Sequence, residues 1–238
     1  MRNFILKDNK ITLNDIKHIL CNNLQIELDN NLIKKVKKSR LFLEKKIFKT
    51  NDVIYGVNTG FGDLHNIKIK YNKLSQLQLN LIRSHACGTG KKINAEIVRL
   101  MLLLKIISLS KGNSGVRIET INRLIFLFNK NLFPIVYEYG SLGASGDLAP
   151  LAHMSLPVIG EGKLEFKGKI QNSKTILKKY NLDKINLAPK EGLALINGTQ
   201  YMLASFISSV FHAYNLSELA DNISSVSIDG YNCNLNPF

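Results

Sequence analysis

Ala144-Ser145-Gly146, followed by Asp147-Leu148-Ala149-Pro150, is a short segment whose residue types permit an unusual backbone reaction. Bent tightly, it lets the amide nitrogen of Gly146 attack the carbonyl carbon of Ala144 and close a five-membered ring. Glycine is needed for that approach, because it alone carries no side chain. Loss of one water makes the ring an imidazolone, and loss of a second, carrying off the Ser145 hydroxyl, leaves an exocyclic methylidene. The product is a strong electrophile made without an external cofactor. Such a loop must store strain, which fits a glycine-flanked turn wedged between packed helices.

Glycines gather in two further polar segments, Tyr55-Gly56-Val57-Asn58-Thr59-Gly60-Phe61-Gly62 and Ser84-His85-Ala86-Cys87-Gly88-Thr89-Gly90. Loops carried on rigid elements are where function concentrates, so these two and Gly140 to Leu148 could converge on one pocket. The familiar glycine motifs do not fit. Gly88-Thr89-Gly90-Lys91-Lys92 has His85 where a phosphate-binding loop needs Gly and Lys92 where it needs Ser or Thr. Gly56 to Gly62 lacks the dinucleotide-binding order and its βαβ surroundings. Gly143-Ala144-Ser145-Gly146 misses the serine-hydrolase elbow by one position, leaving that chemistry a poorer reading. The five histidines form no H-x-x-x-H or Cys/His cluster, so no metal is expected.

The elements that must hold these loops read as mainly α. Thr12 to Asp15 resembles a capping box ahead of Ile16, Ile19 and Leu20. Helical periodicity recurs over Asn30 to Lys46, Leu74 to Arg83, Ala95 to Leu109, Thr120 to Asn129 and Lys190 to Leu219. Between Gly160 and Ile170, alternation around Lys167-Gly168 predicts a small hairpin. The 238 residues suffice for one or two domains, and 45% hydrophobic content excludes a disordered chain. The net charge of +14 comes mostly from Lys spread along an Asn- and Ile-rich sequence. That distribution argues against nucleic acid and an anionic membrane as partners. The densest run, Lys34, Lys35, Lys37, Lys38 and Arg40, reads as a solvated helix face. Ile97 to Leu109 is too short for a span of about 20 residues and carries Arg99 and Lys105, so it reads as a buried core helix. Three cysteines without a CxxC pair and no evident signal peptide predict a reducing, cytoplasmic location.

Five segments in order then carry a resemblance: Tyr55 to Gly62, Ser84 to Gly90, Lys111-Gly-Asn-Ser-Gly-Val-Arg117, Gly140 to His153, and Lys190-Glu-Gly-Leu-Ala-Leu-Ile-Asn-Gly-Thr-Gln200. Together they cover most of the chain from Tyr55 onward and resemble the aromatic amino acid ammonia-lyases and aminomutases, whose hallmark is the Ala-Ser-Gly triad. The resemblance implies a helical lyase fold and a methylidene-imidazolone formed autocatalytically from Ala144, Ser145 and Gly146. Chemistry explains the need for it: the β proton of an amino acid is weakly acidic, and a tyrosinate base has a pKa of only about 10. Attack by the substrate amine makes it a better leaving group, whereas attack by the ring acidifies the β position; both routes stay open.

Site roles follow by the same resemblance. Tyr55 matches the active-site tyrosine that exchanges a substrate proton or steers the leaving amine. Asn197 matches the asparagine near the electrophile and the substrate carboxylate. Asp147 and Gly143 support the condensing loop, with N-capping as the plainer role for Asp147; Arg117 and Gln200 are left as structural. Ser84-His85 resembles the Ser-His pair of histidine-selective members, so His85 is expected to bind the imidazole of L-histidine through either ring nitrogen. The expected reaction is loss of ammonia from L-histidine to give urocanate. A phenylalanine or tyrosine lyase or aminomutase, and an inactive remnant or assembly subunit, are the alternatives. Family members are about twice as long and form homotetramers. The expected organisation is therefore a loop-bearing domain over 1–190 and a truncated start of the helical bundle over 191–238. The half that normally adds a further tyrosine, an arginine and a glutamate is missing. Alone, the chain is expected to be inactive or poorly folded, with the apolar face from Leu193 to Val210 unpartnered and prone to aggregate.

Overall fold

A computed structural model describes residues 2–49, 52–234 and 236. The chain opens with β1 (Asn3–Leu6), α1 (Leu13–Cys21) and β2 (Gln25–Leu28), the strands pairing in parallel. The capping box forms as expected: Asp15 N donates to Thr12 Oγ1, and the Asp15 carboxylate accepts from Thr12 N at 2.8 Å. The two strands are too short to show their period in the sequence. Part of β2's pairing comes from a side chain, since Asn129 accepts from Ile26 N at 2.8 Å and donates to Ile26 O at 3.0 Å.

Next come α2 (Asn30–Lys49), α3 (Leu74–His85), β3 (Thr89–Lys92), α4 (Ala95–Ser110) and α5 (Ile118–Asn129). Helix α4 is apolar all round, with Leu100 through Ile106 buried, and it forms the axis of the core. No helix among the described residues is long and apolar enough to cross a membrane. The lysines of the basic run on α2 are exposed, as expected. Arg40 is not. It is buried and donates to the carbonyls of Gly115 at 3.1 Å and Pro189 at 3.0 Å, because its face of the helix turns inward with Leu32, Val36 and Leu43.

Strands β4 (Phe133–Pro134) and β5 (Tyr137–Tyr139) lead to α6 (Leu148–Ser155). The expected hairpin is β6 (Lys163–Phe166) with β7 (Lys169–Asn172), joined through Lys167 and Gly168, both with positive φ as a type I′ turn requires. β4 extends it to three strands. After α7 (Ser173–Lys179), the last helical region divides into α8 (Glu191–Ile196) and α9 (Gln200–Gly230). The break at 197–199 was hidden by the apolar residues on both sides of it. The apolar face from Leu193 to Val210 is in part covered: Leu195, Ile196, Ala204 and Ile207 are buried, α9 packing on α4. Phe206 stays exposed, and so do Tyr214, Leu216, Leu219, Ile223 and Val226 farther along.

Candidate active site

Pairing of β3 with β5 brings two of the three glycine segments together, Thr89 lying opposite Tyr139. At the end of that ladder a Cβ on Gly140 would stand 3.0 Å from Gly88 Cα, so the Ser84–Gly90 and Gly140–Leu148 segments touch backbone to backbone. His153, on α6, locks the contact: its Nε2 accepts from Gly88 N at 2.9 Å. Burial lowers the His153 pKa and keeps the imidazole neutral, as this acceptor role requires. The third segment, Tyr55 to Gly62, folds on itself through Asn58, whose side chain accepts from Ile54 N at 2.7 Å and donates to Asp52 O at 2.8 Å. It reaches the site through Gly56, which packs on Leu193 of α8. Two of the three segments are thus in direct contact, and the third adjoins α8.

The Ala144-Ser145-Gly146 segment is a bend anchored at one end. Ala144 and Ser145 are exposed, while Gly146 is buried against the turn after α8. Gly146 has φ +112°, and a Cβ there would lie 2.5 Å from Gly198 O, so no other residue fits. The next amide, Asp147 N, donates to that same Gly198 O at 2.7 Å. Among the described residues, Gly146 N donates no hydrogen bond and Ala144 O accepts none. The two groups that the expected condensation would join thus have no partner among the described residues, beside a backbone that is pinned. Gly143 is exposed with φ +76° and open space around it, so it serves the turn and not a close approach.

Asp147 stands at the N-terminus of α6 but does not cap its own helix with its side chain. Its carboxylate, fully buried, accepts from Tyr201 N at 2.9 Å and Met202 N at 3.0 Å, capping α9 instead. The effect is to tie the loop that precedes α6 to the turn that precedes α9.

Asn197 ends α8, with its N bonded to Leu193 O at 2.9 Å and its side chain exposed and without a partner among the described residues. Its backbone carbonyl accepts from Lys105 Nζ at 2.9 Å. Lys105 comes from the centre of α4, is 1% exposed, and also reaches Gln200 Oε1 at 3.5 Å. Burial pushes its pKa down to about 7, opposed by the Asp147 carboxylate. In the sequence Lys105 only argues against a membrane span. The missed signal was a cation amid Leu102, Leu103, Leu104 and Ile106, which must find partners inside the core.

His85 closes α3, half-buried, with Nδ1 2.8 Å from Leu81 O and 3.2 Å from Ser84 Oγ. A carbonyl only accepts, so Nδ1 carries the proton and, in the neutral ring, Nε2 is left as an acceptor. Tyr55 is 57% exposed and meets Phe61 edge-on at 6.1 Å. Among the described residues neither Tyr55 nor His85 hydrogen-bonds to the 144–146 loop.

Glu191 holds the frame from behind. Fully buried, it accepts from Arg117 N at 2.8 Å, Arg117 Nη2 at 2.7 Å, Thr120 Oγ1 at 2.7 Å and Ala188 N at 2.8 Å. Burial alone would raise its pKa, but these hydrogen bonds outweigh it and hold the carboxyl below its ordinary value. Arg117 is structural, as expected.

Fold and site together define a helical lyase scaffold that presents an Ala-Ser-Gly loop at its surface. A model of the family described as aromatic amino acid lyase matches residues 11–238, and the chain belongs to that family. Histidine ammonia-lyase 2 of Fusobacterium nucleatum is 43% identical over 224 residues, which are 94% of this chain and 44% of that protein. Histidine ammonia-lyase of Staphylococcus aureus is 40% identical over 222 residues, again 44% of its length. Among solved structures, histidine ammonia-lyase from Trypanosoma cruzi superposes with a TM-score of 0.88 at 33% identity, covering 98% of this chain and 45% of that one. Pantoea agglomerans phenylalanine aminomutase gives 0.88 at 33%, covering 97% and 44%. The chain therefore spans less than half the length of these relatives.

Proposed function

We propose that this chain carries the electrophile-forming part of a histidine ammonia-lyase, which eliminates ammonia from L-histidine to give urocanate. The observation that carries the reading is Gly146, held at φ +112° against Gly198 O beside an exposed Ser145. Only glycine fits there, its nitrogen is free, and the backbone on its far side is pinned through Asp147. Those features suit condensation of Ala144, Ser145 and Gly146 with loss of two waters. The methylidene-imidazolone so formed would supply the electron sink that lets ammonia leave without an external cofactor.

The remaining roles belong to this chain's own side chains. His85 accepts the imidazole N–H of the substrate at Nε2, a role supported by the proton held on Nδ1. Asn197 offers its unpartnered amide to the substrate carboxylate. Tyr55, exposed and with no hydroxyl partner among the described residues, exchanges the substrate proton or guides the amine. The exposed apolar residues of α9 support a homotetramer as the working assembly, with 1–190 as the loop-bearing domain and 191–238 as the start of the helical bundle. Three exposed free cysteines suit a reducing compartment.

A second reading, a phenylalanine or tyrosine lyase or aminomutase, is favoured by the phenylalanine aminomutase, which superposes as well as the histidine enzyme does. Peptide mass mapping of 144–146, with absorbance assays on L-histidine, L-phenylalanine and L-tyrosine, separates them. Loss of two waters with urocanate as product is expected. A linear 144–146 in assembled protein would remove the proposed reaction and leave an assembly subunit.

A further inference from the structure

We propose that Lys105 is a positioning residue for the condensing loop: from inside the core its amine holds the Asn197 carbonyl and Gln200, and so fixes the turn against which Gly146 and Asp147 are pinned. The inference rests on the proposed condensation of residues 144–146.

The connections run through a single short turn. Lys105 Nζ donates to Asn197 O at 2.9 Å; the following carbonyl, Gly198 O, accepts from Asp147 N at 2.7 Å. That same Gly198 O is the atom Gly146 faces. Asp147 then accepts from Tyr201 N and Met202 N, and Gln200 Oε1 returns to Lys105. Lys105 is therefore the element of the ring supplied by α4, the axis of the core, whereas the other members lie on the loop, the turn and the first residues of α9. Without it, the hydrogen bond from α4 to the Asn197 carbonyl is lost, and the turn is held to the core only indirectly, through the packing of α9 on α4 and its backbone bonds to α8.

Burial makes the choice of lysine informative. A fully buried cation is costly, and burial has already lowered its pKa to about 7. An aliphatic residue would fill the same space in α4 at no such cost. Charged or neutral, the lysine amine still donates to Asn197 O. The attraction to the Asp147 carboxylate adds to this when it is charged, drawing loop and turn toward α4.

The test compares Lys105→Met and Lys105→Arg with the unsubstituted chain by amide hydrogen exchange and by the mass of the 144–146 peptide. Lys105→Met is expected to raise exchange at Asp147, Tyr201 and Met202 roughly tenfold, with the β6–β7 hairpin unchanged. It should also slow loss of the two waters by a similar factor. Lys105→Arg, which keeps donors and charge, should restore much of both. Unchanged exchange at those three amides, or equal loss of protection throughout α4 and the hairpin in both variants, would overturn the proposal and leave Lys105 a packing residue. If Lys105→Met does not fold, Gln200→Ala replaces it, with a severalfold rise at the same amides expected and no rise overturning the inference. Should the unsubstituted chain keep a linear 144–146, the condensation reading fails, while the exchange data still judge Lys105.

Discussion

The two sides of the Ala144-Ser145-Gly146 loop differ as sharply as a core and a surface. Beneath it, Asp147, Lys105 and Glu191 are buried charges, each with partners: helix N–H groups, a carbonyl, an arginine. Above it, Leu142 is 92% exposed, Ala144 and Ser145 face solvent, and the Tyr55 hydroxyl and Asn197 amide have no partners among the described residues. The lower side has the structure of a finished site and the upper side that of half of one. In a chain spanning 44% of its relatives' length, the buried support of the loop is thus fully partnered while its outer face is open to solvent.

The sharpest break of this contrast is Glu191→Ala. Removing the carboxylate strands Arg117 and Thr120, and urea unfolding should show a loss of about 3–5 kcal/mol. Gly146→Ala comes next: its Cβ would strike Gly198 O, costing about 1–3 kcal/mol and abolishing loss of water at 144–146, read by unfolding and peptide mass together. A pH series sharpens the comparison further. Lys105 has an ordinary pKa of 10.5 when unfolded and about 7 when folded. Between those values the unfolded chain binds more protons, so this residue makes stability rise with pH, by up to about 1.4 kcal/mol per unit. The difference in unfolding free energy between the unsubstituted chain and Lys105→Met, taken at pH 7 and pH 9, should show that rise and no other group's. On the open side, Tyr55→Phe and Leu142→Ser should each change stability by no more than about 0.5 kcal/mol in the same assay. A loss of several kcal/mol from either would mean that the upper face is not open.

Much of the fold was legible because helices announce themselves over many residues. The α3, α4 and α5 boundaries fall within two residues of the periodicity, and the Lys167-Gly168 turn identified its hairpin. The paired strands β1 and β2 were not legible, since four residues carry too little period and β2 relies on the distant Asn129 side chain. Arg40 read as solvated because its neighbours in sequence are lysines, yet its rotational position on α2 faces inward. Asp147 could be recognised beside the triad, but not that it caps α9, because a cap 54 residues away leaves no local pattern.

Residue order alone supplied the groups that the proposed condensation needs, since Ala, Ser and Gly in that sequence carry a carbonyl, a hydroxyl and an unhindered nitrogen. It also determined the longer helices from α1 to α5, whose hydrogen bonds are local. Only the tertiary structure decided what restrains the loop: Gly198 from the turn before α9, Lys105 from the middle of α4, and Glu191 reaching back to Arg117. These partners are separated by tens of residues and meet because helix packing buries polar groups that then have to be satisfied, a requirement fixed by three-dimensional neighbours and not by adjacency along the chain.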